Sequence, residues 1–413
     1  MIDANQTRGD RASPAGARTI VVAGAGIGGL TAALALAAKG FRVIVLEKSE
    51  RLEEIGAGLQ LSPNASRILI DLGLRATLEP RVIAPDAISI FSARAGAEIG
   101  QIPLGEPANF RYGAPYWIVH RADLQQVLLA RVAATPDIDL RLGAQFEDVA
   151  SYGKGVTVGQ RRGTARHQEP ALALIGADGV WSAVRNQLFP KVQASFSGRI
   201  AWRGTADTAQ LPSQFRLGRV LLWLGANAHL VAYPVSGGQR INVVAVSPGT
   251  WNRPGYNESA DPADIRNQFD IRNWPASVRM LVGAVDGWRR WALFGVDAGA
   301  PWVSGRVALL GDAAHAMLPF VAQGAAMAIE DAAVLADRLS DTINDPAGVP
   351  AALEHYAGAR QARVVRVQRT ALRSGQIYHL SGAMALARDS FIRLAGGPRL
   401  LTRQDWIYDW RQR

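Results

Sequence analysis

The patterned part of the chain begins with a short apolar run, a cluster of glycines and a long apolar stretch. Thr19–Ala23 reads TIVVA, a β-branched run that predicts a buried strand, and GAGIGG follows at positions 24–29. Residues 30–39 are rich in alanine and leucine and are closed by Gly40, which indicates a helix. A strand, a glycine turn and a helix in this order predict a phosphate-binding turn.

The glycine spacing and the next apolar run indicate which dinucleotide the turn accepts. Gly24 permits the tight turn, Gly26 lets the backbone approach a pyrophosphate, and Gly29 lets helix and strand pack closely. Residues 42–46 form a second apolar strand candidate that ends in Glu47. A carboxylate about twenty residues beyond the turn accepts a ribose 2′-hydroxyl and repels a 2′-phosphate, which argues against NADP at this site.

Three later segments complete the same nucleotide-binding unit. ALALIGADG ends in Asp178, VALLGDAAH places Asp312 on a strand-to-helix turn, and VHRADLQQVLLARV has helical apolar spacing with Arg121 at its entrance. Open α/β sheets bind ligands at the carboxyl ends of their strands. Because an Asp on such a turn suits a polyol, the glycine turn and Asp312 together predict FAD.

The sequence becomes β-rich between residues 186 and 303, with strand candidates VLLWLG, HLVAYPV and INVVAVS and seven of the 11 tryptophans. The chain then returns to the GDAAH strand, which indicates an antiparallel sheet inserted into a Rossmann-like α/β domain. The predicted organisation is a disordered tail at 1–17, an FAD-binding domain at 18–185 and 304–345, a substrate domain at 186–303 and a C-terminal helical region at 346–413.

Composition restricts the chemistry. The 413 residues contain no cysteine, which excludes disulfides, thiolate metal sites, iron–sulfur clusters and cysteine nucleophiles. Any redox chemistry must then come from a bound organic cofactor. No apolar run reaches the roughly 18 residues needed to span a bilayer, and the first 17 residues lack the apolar core of a signal peptide. We therefore expect a cytoplasmic protein without a membrane span.

The net charge of +10 comes almost entirely from arginine. Its densest cluster is Arg360, Arg363, Arg366, Arg369 and Arg373, whose spacing places these side chains along one side of a predicted helix. No aromatic-interleaved basic motif or helix-turn-helix pattern accompanies the cluster, so nucleic-acid binding is not predicted. A solvated or ion-paired helix face is the favoured interpretation.

Histidine does not occur in metal-ligand spacing, so no metal site is predicted. His315 ends the GDAAH motif and is expected to make a structural hydrogen bond within that turn. No recognisable chemistry attaches to the histidines at four other positions, which are His120, His167, His355 and His379.

The strand candidate HLVAYPV carries the candidate catalytic side chains. Period-two alternation puts His229 and Tyr233 on one face, about 13 Å apart between Cα atoms, so they are expected to flank a substrate ring. A buried His packed beside a buried Tyr is the alternative interpretation. Gln323 is the third candidate, because VAQGAA leads into the helix predicted at 326–339.

Taken together, GAGIGG with Glu47, GADGVWSAVR and LLGDAAHAMLPFVAQGAAMAIEDAAVLA resemble the single-component flavoprotein aromatic hydroxylases, in particular the salicylate and 3-hydroxybenzoate hydroxylase branch. The resemblance covers residues 18–410. It implies that Glu47 binds the adenosine ribose, that Arg121 lies beside the FAD, and that Asp312 binds the ribityl chain. It also implies that Asp178 belongs to a turn serving FAD and the nicotinamide cofactor. The chain departs from the family's frequent GDAAHP by carrying Ala316.

The approach to the helix at 326–339 adds to the cofactor site. Its N–H groups near Gly324 and Ala325 are expected to face the pyrimidine end of the flavin, which becomes anionic when reduced, because helix N-termini stabilise negative charge. Glu330 and Asp331, one turn further into this helix, are expected to complement its dipole. The cofactor-binding residues predicted on all of these grounds are Gly24, Gly26, Gly28, Gly29, Glu47, Lys48, Arg121, Asp178, Asp312, Gly324 and Ala325.

The resemblance and the motifs predict a monooxygenase that binds FAD tightly and non-covalently and consumes NADH. NADH is expected to bind transiently, since no second GxGxxG turn exists to hold it. The expected reaction is hydroxylation by O₂, through a flavin C4a-hydroperoxide, of a small phenolic or hydroxylated heteroaromatic substrate that carries a carboxylate. His229 would remove the phenolic proton. A flavoprotein epoxidase, a Baeyer–Villiger-type oxygenase and a non-oxygenating electron-transfer or interaction module are the alternatives. A homodimer is left open.

Overall fold

The computed structural model describes residues 18–52, 58–252, 255, 257–269 and 274–412. The tail predicted at 1–17 lies outside these residues. The described strands, in chain order, are β1 (Thr19–Ala23), β2 (Arg42–Glu47), β3 (Gly58–Leu61), β4 (Val82–Ile83), β5 (Ala87–Ser92), β6 (Glu98–Pro103), β7 (Trp117–His120), β8 (Ile138–Leu142), β9 (Ala144–Tyr152), β10 (Gly155–Arg162), β11 (Ala165–Ala171), β12 (Ala173–Gly176), β13 (Ser195–Asp207), β14 (Val220–Gly225), β15 (Ala228–Val235), β16 (Arg240–Pro248), β17 (Asn257–Ala260), β18 (Trp288–Gly295), β19 (Val303–Ser304) and β20 (Val307–Leu309).

The described α-helices are α1 (Ile27–Ala38), α2 (Pro63–Asp71), α3 (Arg75–Leu78), α4 (Gly105–Tyr112), α5 (Arg121–Ala133), α6 (Ala183–Leu188), α7 (Pro262–Gln268), α8 (Ala276–Gly283), α9 (Asp312–His315), α10 (Gly324–Ser340), α11 (Val349–Tyr378), α12 (Gly382–Thr402) and α13 (Asp405–Tyr408). Among the described residues, no helix combines the length and the apolar character that crossing a bilayer requires.

A six-stranded sheet in the order β19-β20-β12-β1-β2-β8 carries the glycine turn. Its inner pairs are parallel, with β1 between β2 and β12 and with β20 beyond β12. Every residue of β1 and β12 is buried, as expected of strands covered on both faces. Because parallel strands end at the same edge, the turns that follow β1, β12 and β20 meet there.

Helix α1 lies against this sheet and packs along α10, and both helices contribute to the largest apolar core of the described chain. Small side chains such as Ala32 and Ala33 of α1 and Ala332 of α10 are buried in this core. The alanine-rich sequence therefore favours close contact between the two helices. This contact joins the glycine turn at one end of the chain to the GDAAH region more than 280 positions later.

An eight-stranded sheet in the order β17-β18-β13-β16-β15-β14-β5-β6 forms the second layer. Its pairs are antiparallel except for β14 with β5, which is parallel. The inserted antiparallel sheet is thus present, but β5 and β6 lie between residues 87 and 103. The sheet extends outside the predicted 186–303 interval because a parallel partner for β14 is supplied by a distant segment, which local alternation does not reveal.

The C-terminal region is helical, with α11 alone spanning 30 residues. The predicted fold class is confirmed: an α/β nucleotide-binding unit, an antiparallel sheet and a helical C-terminus. One boundary differs from prediction in a way that matters for the site. Helix α10 begins at Gly324 and not at residue 326, so the two residues expected to precede the helix form its first turn.

Candidate active site

The glycine turn after β1 has the shape of a phosphate cradle. Gly24 has φ +107°, and a Cβ there would lie 2.4 Å from the carbonyl oxygen of Ala177. A Cβ on Gly29 would lie 2.0 Å from the carbonyl oxygen of Gly24, so a larger residue would push α1 off the turn. A Cβ on Gly26 would meet nothing within 4 Å, and Gly26 lines the adjoining cavities. The backbone is therefore open to a ligand on the side where a pyrophosphate would approach.

Glu47, at the end of β2, is fixed beside this turn. Its Oε2 accepts a hydrogen bond from the Ala25 N–H at 2.9 Å, and its Oε1 accepts one from the Ser49 N–H at 2.9 Å. A carboxylate offers about four acceptor positions, so two such bonds leave capacity for hydroxyl donors. Glu47 also lines a cavity beside the turn. The arrangement fits the predicted contact with a ribose.

Two cavities meet at the edge where β1, β12 and β20 end. One of about 450 Å³ borders Glu47 and Arg51, and one of about 300 Å³ borders the eight-stranded sheet. Six residues line both cavities and therefore mark where they join, namely Gly26, Arg121, Gly179, Arg203, Asp312 and Met317. An elongated ligand can thus extend from Glu47 to the eight-stranded sheet.

Asp312 stands in the first turn of α9 and is exposed toward this junction. The preceding Gly311 has φ +60°, a conformation that favours glycine, and a Cβ there would lie 3.0 Å from the Cβ of Ala328. Gly324 and Ala325, in the first turn of α10, line the smaller cavity. The first N–H groups of a helix lack acceptors within the helix, so this wall is suited to negative charge. The donor set and the glycine cradle together fit FAD.

Two members of the predicted cofactor set lie elsewhere. The Oδ2 of Asp178 accepts hydrogen bonds from the N–H groups of Ala183 at 2.7 Å and Val184 at 3.2 Å, at the start of α6. Burial raises the pKa of Asp178. Its neighbour Gly179 lines both cavities, so Asp178 fixes the turn beside them through its bonds to α6. Lys48 is exposed and is not among the residues that line either cavity.

The face of β15 that carries His229 lines the smaller cavity, as alternation predicted. His229, Val231 and Tyr233 lie there, with Val244 and Val246 of the neighbouring β16 beside them. These apolar side chains give a wall suited to an aromatic ring, and the guanidinium-bearing side chain of Arg203 lines the same space.

His229 is buried, with 3% of its surface exposed, and its Nδ1 lies 2.8 Å from Nε2 of His379. Burial, followed by the charges of His379 and Arg199, holds the pKa of His229 well below its ordinary value. The ring is therefore neutral at pH 7 and can accept a proton. No hydrogen bond within the described part of the chain uses its Nε2. His379 lies 150 positions away in the sequence, and no motif there indicated a role for it.

Tyr233 is also buried, but its hydroxyl already has a partner. It donates a hydrogen bond to the carbonyl oxygen of Gly58 at 2.7 Å. Burial raises the pKa of Tyr233 well above its ordinary value, so the phenol stays protonated at neutral pH. A Cβ on Gly58 would lie 2.3 Å from the Tyr233 ring, which explains the glycine. The phenol oxygen remains able to accept a hydrogen bond from a ligand.

Gln323 precedes α10, yet its amide faces away from the cavities. Its Nε2 donates to the Ser62 hydroxyl at 2.8 Å, and its Oε1 accepts from Asn64 Nδ2 at 3.1 Å. Gln323 is buried and is not among the residues that line either cavity. The structure thus places it as a brace between α2 and the start of α10. The preceding Ala322 has φ +52°, which turns the chain there.

A buried ionic network lies under the first turns of α10. Glu330 accepts hydrogen bonds from Arg360, Arg363 and Asn64 at 2.6–2.7 Å. Asp331 accepts them from Arg360 Nε at 2.7 Å, His315 Nε2 at 2.6 Å and the Gly311 N–H at 3.1 Å. The acids were expected to complement the helix dipole, but their partners are these cations. The network ties α10 and α11 to the turn that carries Asp312.

The same network accounts for two sequence predictions. His315 has the structural role expected of it, but its Nε2 pairs with Asp331 of α10 and not with a group of its own turn. The arginine cluster of α11 is ion-paired at its N-terminal end, where Arg360 is fully buried. Arg366 instead lies over the Trp406 ring, 4.0 Å from its centroid. Two residues of the site were not identified from the sequence: Arg203, which lines both cavities, and His379, which contacts His229 from outside them. Neither belongs to a contiguous motif.

Replacing Asp312 with alanine is expected to weaken FAD binding about tenfold to a hundredfold, because a charged acceptor for ribityl hydroxyls is lost. The change should be measured as the FAD dissociation constant of refilled apoprotein by flavin fluorescence. Asp264→Ala, which removes an exposed first-turn acid from α7, is the matched control. Undiminished FAD affinity in the Asp312 variant would contradict the assignment.

A family model described as an FAD binding domain matches residues 17–371. A 3-hydroxybenzoate 6-hydroxylase of Polaromonas naphthalenivorans is 35% identical over 95% of this chain and 96% of its own length. A 3-amino-4-hydroxybenzoate 2-monooxygenase of Streptomyces platensis is 38% identical over 94% and 95%, respectively.

Solved structures give the same grouping. A salicylate hydroxylase in complex with its substrate superposes with a TM-score of 0.80, at 25% identity over 97% of both chains. Klebsiella pneumoniae HpxO, solved with FAD and uric acid, superposes with a TM-score of 0.79, at 26% identity over 93% of this chain and 95% of that one. The match extends over both the nucleotide-binding sheet and the eight-stranded sheet.

Proposed function

Since the chain belongs to the FAD-binding-domain family and is an FAD-dependent aromatic monooxygenase, we propose that it hydroxylates a hydroxybenzoate-type phenol with NADH as reductant. The observation that carries the proposal is the wall formed by His229, Val231 and Tyr233 beside the FAD cradle. Activities named for the relatives, on 3-hydroxybenzoate and 3-amino-4-hydroxybenzoate, support the substrate class.

The cavity has separate features for each part of such a substrate. Val231, Val244 and Val246 offer apolar surface to the ring. Arg203 brings positive charge to the cavity and would face the carboxylate. His229 is a neutral base with Nε2 available for the phenolic hydroxyl. This combination suits a small, flat, anionic phenol.

Deprotonation is the step assigned to the protein's own side chains. Removing the phenolic proton makes the ring a stronger nucleophile, and His229 would receive that proton at Nε2. Tyr233, held by its hydrogen bond to Gly58, would pack against the substrate and limit the orientation of its ring. FAD held in the cradle and reduced by NADH would supply the activated oxygen, taken from O₂, for transfer to the ring carbon. The apolar side chains of Val231, Val244 and Val246 would help to keep water from that contact.

The positive end of α10 has a complementary role. Gly324 and Ala325 would present N–H groups to the pyrimidine part of the flavin, where negative charge develops on reduction. The buried network of Glu330, Asp331 and Arg360 holds this helix end in place. We assign these residues to cofactor positioning and not to substrate contact.

Purified holoenzyme supplied with NADH and isotopically labelled O₂ is expected to place one labelled oxygen atom on the ring of 3-hydroxybenzoate, salicylate or 3-amino-4-hydroxybenzoate. Product mass and NADH consumption are measured together, with NADPH as the parallel reductant. NADH oxidation that gives only hydrogen peroxide across a broad phenol panel would contradict hydroxylation and support an electron-transfer module. Labelled oxygen in an epoxide or an ester would instead indicate the epoxidase or Baeyer–Villiger alternative.

A further inference from the structure

We infer that His379 carries the phenolic proton from His229 to solvent, so that the two imidazoles form a relay out of the cavity. This inference rests on the proposed function, in which His229 receives that proton. It assigns a role to a residue on α11's C-terminal end that belongs to neither the FAD cradle nor the substrate wall.

The geometry of the pair is that of a hydrogen-bonded, stacked dyad. His229 Nδ1 and His379 Nε2 are 2.8 Å apart, and the ring centroids are 5.0 Å apart with an interplanar angle of 29°. Phe320 and Tyr378 contact His229 edge-on, with centroids 5.3 and 5.4 Å away. These aromatic contacts fix the His229 ring while leaving the hydrogen bond to His379 intact.

The two rings differ in their access to water. His229 is 3% exposed, whereas His379 is half-buried at the surface end of the pair. A proton taken up in the cavity by His229 therefore has an exit through His379 that does not cross the substrate. Without such an exit, the proton would remain beside the phenolate from which it came.

The transfer balances in protons and requires no redox step. The phenolic O–H bond breaks and its proton binds Nε2 of His229, while the Nδ1 proton of His229 moves to Nε2 of His379. His379 then releases its Nδ1 proton to water. The net change is one phenolate and one solvent proton, with both imidazoles left as their other tautomers. Reprotonation of the product phenolate by Nε2–H runs the same path in reverse and restores the starting tautomers.

The surroundings keep both imidazole rings neutral, so the pair can pass a proton on but does not hold it. Burial, with the charges of Arg199 and Arg388, lowers the pKa of His379 to about 4. Arg199 lies on β13 and Arg388 on α12, and Tyr378, whose pKa burial raises to about 12, packs against His229. At pH 7 about one His379 in a thousand is protonated, so a proton that reaches it passes on quickly.

The backbone holds His379 in register with β15. The Asn227 N–H donates a hydrogen bond to the His379 carbonyl oxygen at 3.1 Å, and Arg199 Nη1 donates to the Asn227 carbonyl oxygen at 2.7 Å. Asn227 has φ 60°, a conformation that Asn tolerates better than most residues. The turn before β15 is thus tied to the end of α11, and the two imidazoles are presented to each other.

The test separates relay from positioning with two substitutions. His379→Gln keeps an acceptor for the His229 N–H but cannot pass a proton, whereas His379→Ala leaves space that imidazole from solution can enter. Phenolate formation is followed by stopped-flow absorbance when 3-hydroxybenzoate, or the panel phenol that the parent hydroxylates, is mixed with oxidised holoenzyme. His355→Gln, on the exposed face of α11, is the matched control.

Both His379 variants are expected to form phenolate about a hundredfold more slowly, the lower end of what a positioned proton acceptor contributes. FAD content and reduction by NADH should match the parent. Imidazole should restore the rate of His379→Ala, with a pH dependence that follows imidazole's own ionisation. A parental rate in His379→Gln, or a slow His379→Ala that imidazole does not restore, would overturn the relay. If His229→Ala also forms phenolate at the parental rate, the base assignment fails instead.

Discussion

Replacing Arg360 with methionine is expected to lower the free energy of unfolding by roughly 3–5 kcal/mol. Arg360 is fully buried and bonds to both Glu330 and Asp331, so its removal leaves two buried carboxylates with fewer compensating charges. Methionine has similar helix propensity to arginine, so the loss would reflect charge and not helix formation. A loss of this size is a large part of typical protein stability, about 5–15 kcal/mol.

Thermal and denaturant unfolding of the holoenzyme measure the effect. Arg369→Met, at an exposed position of the same helix, is the control and should change stability by about 0.5 kcal/mol or less. Arg360→Met should also retain FAD poorly, because its partner Asp331 accepts a hydrogen bond from the Gly311 N–H, next to Asp312. Equal stability of the two arginine variants would show that the network contributes nothing.

Acid titration provides a second measurement on the same variant. Burial by itself raises the pKa of Asp331, but the charges of His315 and Arg360 together outweigh it and hold that pKa below its ordinary value. A carboxylate with a lowered pKa stabilises the folded state above its unfolded pKa, about 4, and loses that contribution as the pH falls further. The parent should therefore lose stability below about pH 4, and Arg360→Met should lose less there.

The nucleotide-binding unit was predictable because its determinants are contiguous. The glycine turn, the helix after it and Glu47 lie within 30 residues, and each follows from backbone sterics or strand order. The His229 face of β15 was predictable for a similar reason, since alternation along one strand decides which side chains share a face. The same alternation could not show that the Tyr233 hydroxyl bonds to Gly58, 175 positions earlier.

Features that depend on tertiary pairing escaped the sequence analysis. The pairing of β5 with β14 could be predicted only by knowing which edge of the folded sheet is free. Glu330 and Asp331 read as acids that complement the helix dipole, because their partner Arg360 lies a helix away and reads as one of several surface arginines. The position of Gln323 beside the start of α10 was predictable from the sequence. The direction of its amide was not: the backbone is left-handed at Ala322, and the amide bonds to Ser62 and Asn64. His379 has no motif around it.

Replacing His229 with alanine is expected to separate flavin chemistry from ring hydroxylation. FAD binding and reduction by NADH should persist, because neither involves the phenolic proton. Product formation should fall roughly a hundredfold to ten-thousandfold, the usual cost of removing a positioned general base. The reducing equivalents should appear as hydrogen peroxide, since oxygen is activated beside a ring that has not become nucleophilic.

The decisive quantity is product formed per NADH consumed, measured beside flavin content. Tyr233→Phe removes one hydroxyl and should lower this ratio more mildly, because it breaks the bond to Gly58 that holds the Tyr233 ring, which we propose orients the substrate. His355→Ala, at an exposed position, should match the parent. The lowered pKa of His229 keeps its ring neutral as the pH falls through 6.5, so parental product formation should show no decline with the midpoint of an ordinary histidine. Parental rate and coupling in His229→Ala would show that His229 has a packing role only. The phenolic proton would then have to pass to water, with the Arg203 charge favouring the phenolate.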